Sequence, residues 1–152
     1  MAANILLKIS QLAGATGSSA ETIRFYEQEG LLPLPLRSAG NYRLYGDEHV
    51  KQLQFIRHCR SLDMTLDEIR RLLAFRDSPD ADCEGVNTLL DKHIGHVTTR
   101  IEELKGLQIQ LAQLRKQCGD ARQTSQCGIL RELDKPEDQA PAQLCTHVAG
   151  SH

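Results

Sequence analysis

Residues 8–30 read KISQLAGATGSSAETIRFYEQEG, and this stretch decides the fold. Ile9, Leu12 and Ala13 form a short apolar face on a helix that Ser10 can cap. Gly17 interrupts the pattern, and Ser18 or Ser19 can open a second helix that turns Ile23 and Tyr26 inward. Two short helices about a glycine turn make a helix-turn-helix, in which the second helix offers its N-terminal residues to a DNA groove.

Working outward from that pair, residues 36–50 read LRSAGNYRLYGDEHV. Gly40-Asn41 is a turn dipeptide and Tyr42, Arg43, Leu44 and Tyr45 alternate as a short strand, so a small β-wing follows the helices. Asp47 can cap a helix running to about Leu62 with Val50, Leu53, Ile56 and Arg57 at helical spacing. Thr65 and Glu68 form a capping box for another helix, which carries Ile69, Leu72 and Leu73 and stops before Pro79.

From about Asp82 to Cys118 the pattern predicts one long helix. Val86, Leu90, Ile94, Val97, Ile101, Leu104, Leu107, Leu111, Leu114 and Cys118 recur by threes and fours, averaging 3.5 residues from Leu90 onward. A stripe that narrow on a polar helix is a coiled-coil seam, which one helix cannot cover alone, so a dimer is expected. A polar loop then leads to a short helix with Cys127, Ile129, Leu130 and Leu133. The expected organisation is a DNA-binding lobe over residues 1–80, a dimerisation helix over 81–118, a loop and short helix over 119–133, and a disordered tail over 134–152.

Composition agrees with a mostly α fold. The 152 residues contain 4% aromatics and no Trp, leaving Leu, Ile, Val and Ala to build the core. The net charge of -2 does not advertise nucleic-acid binding. Residues 1–62, however, hold seven Lys and Arg against five Asp and Glu. No apolar run reaches the roughly 18 residues of a membrane span, and a cytoplasmic location is expected. Five Cys in a reducing compartment point to free thiols or metal ligands before disulfides.

In the first lobe Lys8, Arg24, Arg37, Arg43 and Arg60 are candidate phosphate clamps. Tyr26, Asn41 and Tyr42 are hydrogen-bonding neighbours, and Glu21 and Thr22 could face base edges. The plainer reading makes these ordinary solvated charges on a helical lobe.

The candidate metal ligands are Cys83, Cys118 and Cys127. At about 1.5 Å per residue, Cys83 and Cys118 lie roughly 50 Å apart along one helix. They can therefore share an ion only if an antiparallel partner brings Cys83 of one subunit to Cys118 and Cys127 of the other. Three thiolates select soft cations such as cadmium, lead or mercury; alternatively the three are small buried hydrophobes. Cys59, near Ile56 on its helix, reads as packing. His93 and His96, one turn apart, could join Cys145, His147 and His152 of the tail in a second metal site, or be a solvated face and a loose tail.

The segments TIRFYEQEGLLP (22–33), RSAGNYRLYGDEHV (37–50) and FIRHCRSLDMTLDEIRRLL (55–73) are very similar to the N-terminal domain of MerR-family regulators, and the resemblance runs to about Leu133. DSPDADCEGVN (77–87) and CGDARQTSQCGIL (118–130) resemble the cadmium- and lead-responsive branch. The resemblance implies a homodimer of winged helix-turn-helix domains joined by an antiparallel coiled coil, with an inter-subunit site matched here by Cys83, Cys118 and Cys127. It implies Cd(II) or Pb(II) as inducer, with Hg(II) or Zn(II) as alternatives, since family members with Cys at the position of Cys83 respond to divalent ions. The sequence Gln117-Cys118-Gly119, with no His before Cys127, departs from the two-zinc pattern. The resemblance further implies double-stranded promoter DNA and RNA polymerase as partners, with metal-driven DNA distortion activating resistance genes.

Two rivals remain on sequence grounds. A thiol-based oxidant sensor would keep the cysteines and need no metal. An enzyme or metal chaperone would need a catalytic constellation, and no nucleophile-base pair or phosphate loop stands out, so a non-enzyme is expected.

Overall fold

The computed structural model describes residues 5–119 and 123–137. The chain is mostly helical and divides after Leu89 into two compact units.

The first unit begins with the helix-turn-helix, α1 (Ile9–Thr16) and α2 (Ala20–Gln28). Ser10 lies inside the first turn of α1 and does not cap it. Lys8 occupies the cap position, and the Gln11 carboxamide reaches back to accept the Lys8 N–H at 2.8 Å. At the other end Gly17 takes φ 69, a left-handed conformation that ends the helix without the strain a Cβ would bring. Ser19 opens α2, its hydroxyl accepting the Thr22 N–H at 3.1 Å. Ile23 and Tyr26 are buried, as their spacing predicts.

The wing is an antiparallel pair, β1 (Leu36–Arg37) and β2 (Arg43–Leu44), in the register Leu36 to Leu44 and Arg37 to Arg43. It is shorter than the alternation of residues 42–45 suggests. Tyr45 leaves the hairpin to bridge Leu7, exchanging backbone bonds of 2.8 and 2.9 Å, so the N-terminal segment is stitched to the wing.

Helix α3 (Asp47–Ser61) starts one residue earlier than a cap at Asp47 requires: Gly46 is the cap residue and Asp47 the first helical one. The His49 Nδ1 accepts the Gly46 N–H at 3.0 Å, which leaves Nε2 to donate to the Pro33 carbonyl at 3.1 Å. Helix α4 (Leu66–Arg76) opens on the expected capping box, with Glu68 N–H on Thr65 Oγ1 at 3.2 Å and Thr65 N–H on Glu68 Oε2 at 2.8 Å. Leu12, Ile23, Leu31, Tyr45, Leu53, Ile56 and Ile69 are fully buried and fuse the helices and wing into one core. Each such aliphatic side chain contributes about 1.5–3 kcal/mol on leaving water.

The long helix α5 (Glu84–Arg115) begins in the first unit, where Asp82 Oδ1 accepts the Glu84 N–H at 3.1 Å and the Cys83 carbonyl accepts the Asn87 N–H at 2.9 Å. Most of the second unit is the remainder of this helix. Ile94, Ile101, Leu104, Leu107 and Leu111 are all about half exposed along it, an apolar stripe left uncovered among the described residues. A 3-10 turn (Thr124–Gln126) and α6 (Gly128–Leu133) follow. No described helix is long and apolar enough to cross a membrane.

Candidate DNA interface and metal centre

Lys8, Arg37, Asn41, Tyr42 and Arg43 converge around one shallow depression, whose remaining lining is Ile9 and Ser10 at the start of α1. Three separate stretches of sequence thus present cations to one surface. The Leu7–Tyr45 bridge holds the first beside the wing, and the Lys8 ammonium lies 5.4 Å from the centre of the Tyr42 ring. Arg37 Nη1 donates to the Asn41 carbonyl at 3.1 Å, closing the wing turn, where Asn41 takes φ 64.

Arg43 is held from behind. Its Nε lies 3.5 Å from Glu27, a carboxylate only 10% exposed that also accepts the Tyr45 hydroxyl at 2.6 Å. Burial first, and then the Glu27 hydrogen bond and charge, push the Tyr45 hydroxyl far above its ordinary titration range, so it stays a neutral donor. Glu27 is the residue that sequence inspection missed, although its place one step after Tyr26 on α2 hints that it flanks the core.

The remaining residues divide. Arg24 and Glu21 are exposed on α2. The Thr22 hydroxyl lies 2.8 Å from that of Ser19, so it belongs to the helix start as well as to the outer face. Arg60 Nη1 donates to the Met64 carbonyl at 2.9 Å and closes the chain between α3 and α4. Tyr26 is 7% exposed and sits in the core. Arg57, which shared the apolar spacing of α3, donates to the Thr16 carbonyl and braces the helix-turn-helix turn against α3. Its signal in sequence was a cation placed where the pattern asked for an apolar residue.

The cysteines are disposed at the two ends of α5. Cys83 is exposed immediately before it; Cys118 and Cys127 are half-buried beyond its C-terminus. Arg115 Nη1 donates to the Cys118 carbonyl at 2.7 Å and terminates the helix there. Cys127 stands before the first turn of α6. The amides of Leu130 and Ile129 hold its thiol below the ordinary range against the opposing effect of burial, and the neighbouring Cys118 thiol adds to this. A thiol primed to ionise beside a second one is the donor chemistry of a soft-metal site. At about 1.5 Å per residue the 32-residue α5 is about 48 Å long, so the thiol at its start is out of reach of the pair beyond its end within one chain.

Cys59 is buried in the core, where desolvation pushes its thiol up, in keeping with a packing role. His93 and His96 both lie on α5, the first buried and the second exposed. Cys145, His147 and His152 fall outside the described residues.

Residues 7–75 match the MerR HTH family regulatory protein family and residues 50–114 the family described as MerR, DNA binding. An HTH-type transcriptional regulator ZntR homolog from Haemophilus influenzae is 48% identical over 110 residues, 72% of this chain and 82% of that protein. The mercuric resistance operon regulatory protein of Bacillus cereus is 34% identical over 128 residues, 84% of this chain and 97% of that one. A transcription regulator from Ralstonia metallidurans, solved in complex with lead(II), is 50% identical with a TM-score of 0.72, covering 84% of this chain and 98% of that one. The winged helix-turn-helix, the cysteine-flanked long helix and these likenesses agree: the chain belongs to the MerR family of helix-turn-helix regulatory proteins, among its metal-responsive transcription regulators and not among enzymes.

Proposed function

We propose that this protein binds promoter DNA as a cytoplasmic homodimer and activates transcription when Cd(II) or Pb(II) binds at Cys118 and Cys127 of one subunit and Cys83 of the partner subunit. The observation that carries this reading is the placement of the thiols: two side by side beyond one end of α5, one of them favoured as thiolate, and the third at the far end of a helix about 48 Å long. Only a second chain running head to tail brings all three together, and the exposed stripe of Ile94, Ile101, Leu104, Leu107 and Leu111 is the surface such a chain would cover. Three thiolates fit soft divalent ions. Lead is favoured by the lead(II) complex of the Ralstonia metallidurans regulator, and the likeness to the mercuric resistance regulator keeps Hg(II) as the second reading.

The chain's residues divide the work. Lys8, Arg37 and Arg43 would take phosphates, with Arg24 and the outer face of α2 set in the groove. Cys83 directly precedes α5, whose first turn packs on α4: a Cβ at Gly85 would meet the Phe75 ring closer than 3.0 Å. A pull on Cys83 from the partner's loop is therefore delivered to the DNA-binding unit. The two units of the dimer would be reoriented, and the DNA between them twisted toward a form that RNA polymerase engages.

The test is a promoter-reporter assay with Cys83→Ser, Cys118→Ser and Cys127→Ser. Each should abolish induction by cadmium, lead and mercury while retaining DNA binding; full response in all three would refute the site. Titrating the purified dimer with each ion, with thiolate-to-metal absorbance as the readout, ranks the metals. Mass spectrometry of the induced dimer separates metal loading from thiol oxidation.

A further inference from the structure

Gly128 is the first residue of α6 and directly follows Cys127. Its φ lies outside the left-handed region, so nothing in its backbone conformation calls for glycine. The requirement is space. A Cβ at Gly128 would fall under 3.0 Å from the Gln117 carbonyl oxygen, a distance real Cβ atoms essentially never show, and 3.3 Å from the carbonyl carbon. The obstacle is backbone just beyond the end of α5, next to Cys118, and it cannot swing aside as a side chain would. Two residues that each adjoin a thiol-bearing residue are thus pressed together.

We propose that Gly128 is a positioning residue for the metal loop: its missing side chain lets α6 seat on the Gln117 carbonyl and fixes the separation of the Cys118 and Cys127 sulfurs for a single ion. This deepens, and rests on, the three-thiolate reading above. An ordinary contact needs 3.4 Å or more. An alanine therefore has to lift the turn, and Cys127 with it, by about 1 Å to restore ordinary contact, about twice the positional tolerance of a functional site. It also exceeds the roughly 0.2 Å allowed on metal-ligand distances.

The experiment titrates the full-length dimer with Cd(II) alone and Pb(II) alone, following thiolate-to-metal absorbance, in wild type, Gly128→Ala, Gly128→Val and Cys118→Ser. Helix content and thermal midpoint are measured in parallel. The expected result is a rise of tenfold or more in the metal concentration at half-saturation for Gly128→Ala. A larger rise is expected for Gly128→Val, with helix content unchanged in both. Wild-type titration curves for both glycine variants overturn the inference, and so does global loss of helix content in both, which would make Gly128 a folding residue. Cys118→Ser separates the two levels. If it keeps the absorbance band, the three-thiolate reading fails whatever Gly128 does; if it loses the band while Gly128→Ala matches wild type, only the role of Gly128 falls.

Discussion

Replacing Glu27 by Ala removes a carboxylate that is nine-tenths buried and that serves two partners, the Tyr45 hydroxyl at 2.6 Å and Arg43 Nε at 3.5 Å. Tyr45 is fully buried, so its hydroxyl would be left without an acceptor, at a cost of about 1–3 kcal/mol. The Arg43 pair is part-exposed and adds no more than about 1 kcal/mol. Together these give a loss of about 1–4 kcal/mol for Glu27→Ala, with a central value of about 2–3 kcal/mol. Glu27→Gln keeps an acceptor for Tyr45 and should lose only about 1 kcal/mol. In urea at fixed protein concentration, with a slope of about 1–3 kcal/mol per molar, the alanine variant should unfold about 1–2 M earlier than wild type and the glutamine variant by about half a molar. The same variants report on DNA, because Arg43 loses its brace: the alanine variant should bind operator more weakly even where it is fully folded. If Glu27→Ala shifts the midpoint no more than Glu27→Gln does, the buried-acceptor argument is wrong, and Glu27 acts through charge alone.

Three further outcomes are expected. Arg24→Ala and Arg43→Ala should weaken binding to operator and unrelated DNA alike and reduce the salt slope by about 1 each; unchanged affinity in both would remove them from the phosphate contacts. Because burial and Glu27 raise the Tyr45 titration point, its contribution is intact below the ordinary tyrosine value of about 10 and is lost as pH rises past it. Alkaline unfolding should therefore be shallower in Tyr45→Phe, and identical curves would contradict that. Iodoacetamide at neutral pH should label Cys127 well before Cys59, since helix amides lower the first thiol and burial raises the second; Cys127 labelling should persist to lower pH than that of free cysteine, and equal rates would show the two environments do not differ.

Much of the first unit was legible in the residues themselves. Gly17 at a helix end, Ser19 at a start, the Thr65–Glu68 capping box and the threes and fours of α5 are local signals, and each is confirmed, the ends of α5 to within two or three residues. Where the local reading failed, a competing group won. Gln11 completed the cap around Lys8 in place of Ser10, His49 occupied the cap role expected of Asp47, and Leu7 drew Tyr45 out of the wing. Those partners are three or more residues away, and sequence pattern does not rank rival acceptors.

By itself the sequence determined the order of elements, the family, the residue types that can hold a soft ion, and the fact that one helix separates Cys83 from Cys118. The family follows from the resemblance of residues 22–33, 37–50 and 55–73 to its members; the rest follows from short-range periodicity and from residue chemistry. Only the tertiary structure decided that Lys8 joins Arg37 and Arg43 on one surface, that Glu27 lies behind Arg43, that Cys118 and Cys127 become neighbours, and that Gly128 is pressed against the Gln117 carbonyl. These are contacts between segments whose separation in space is set by packing, and packing is a property of the whole folded unit.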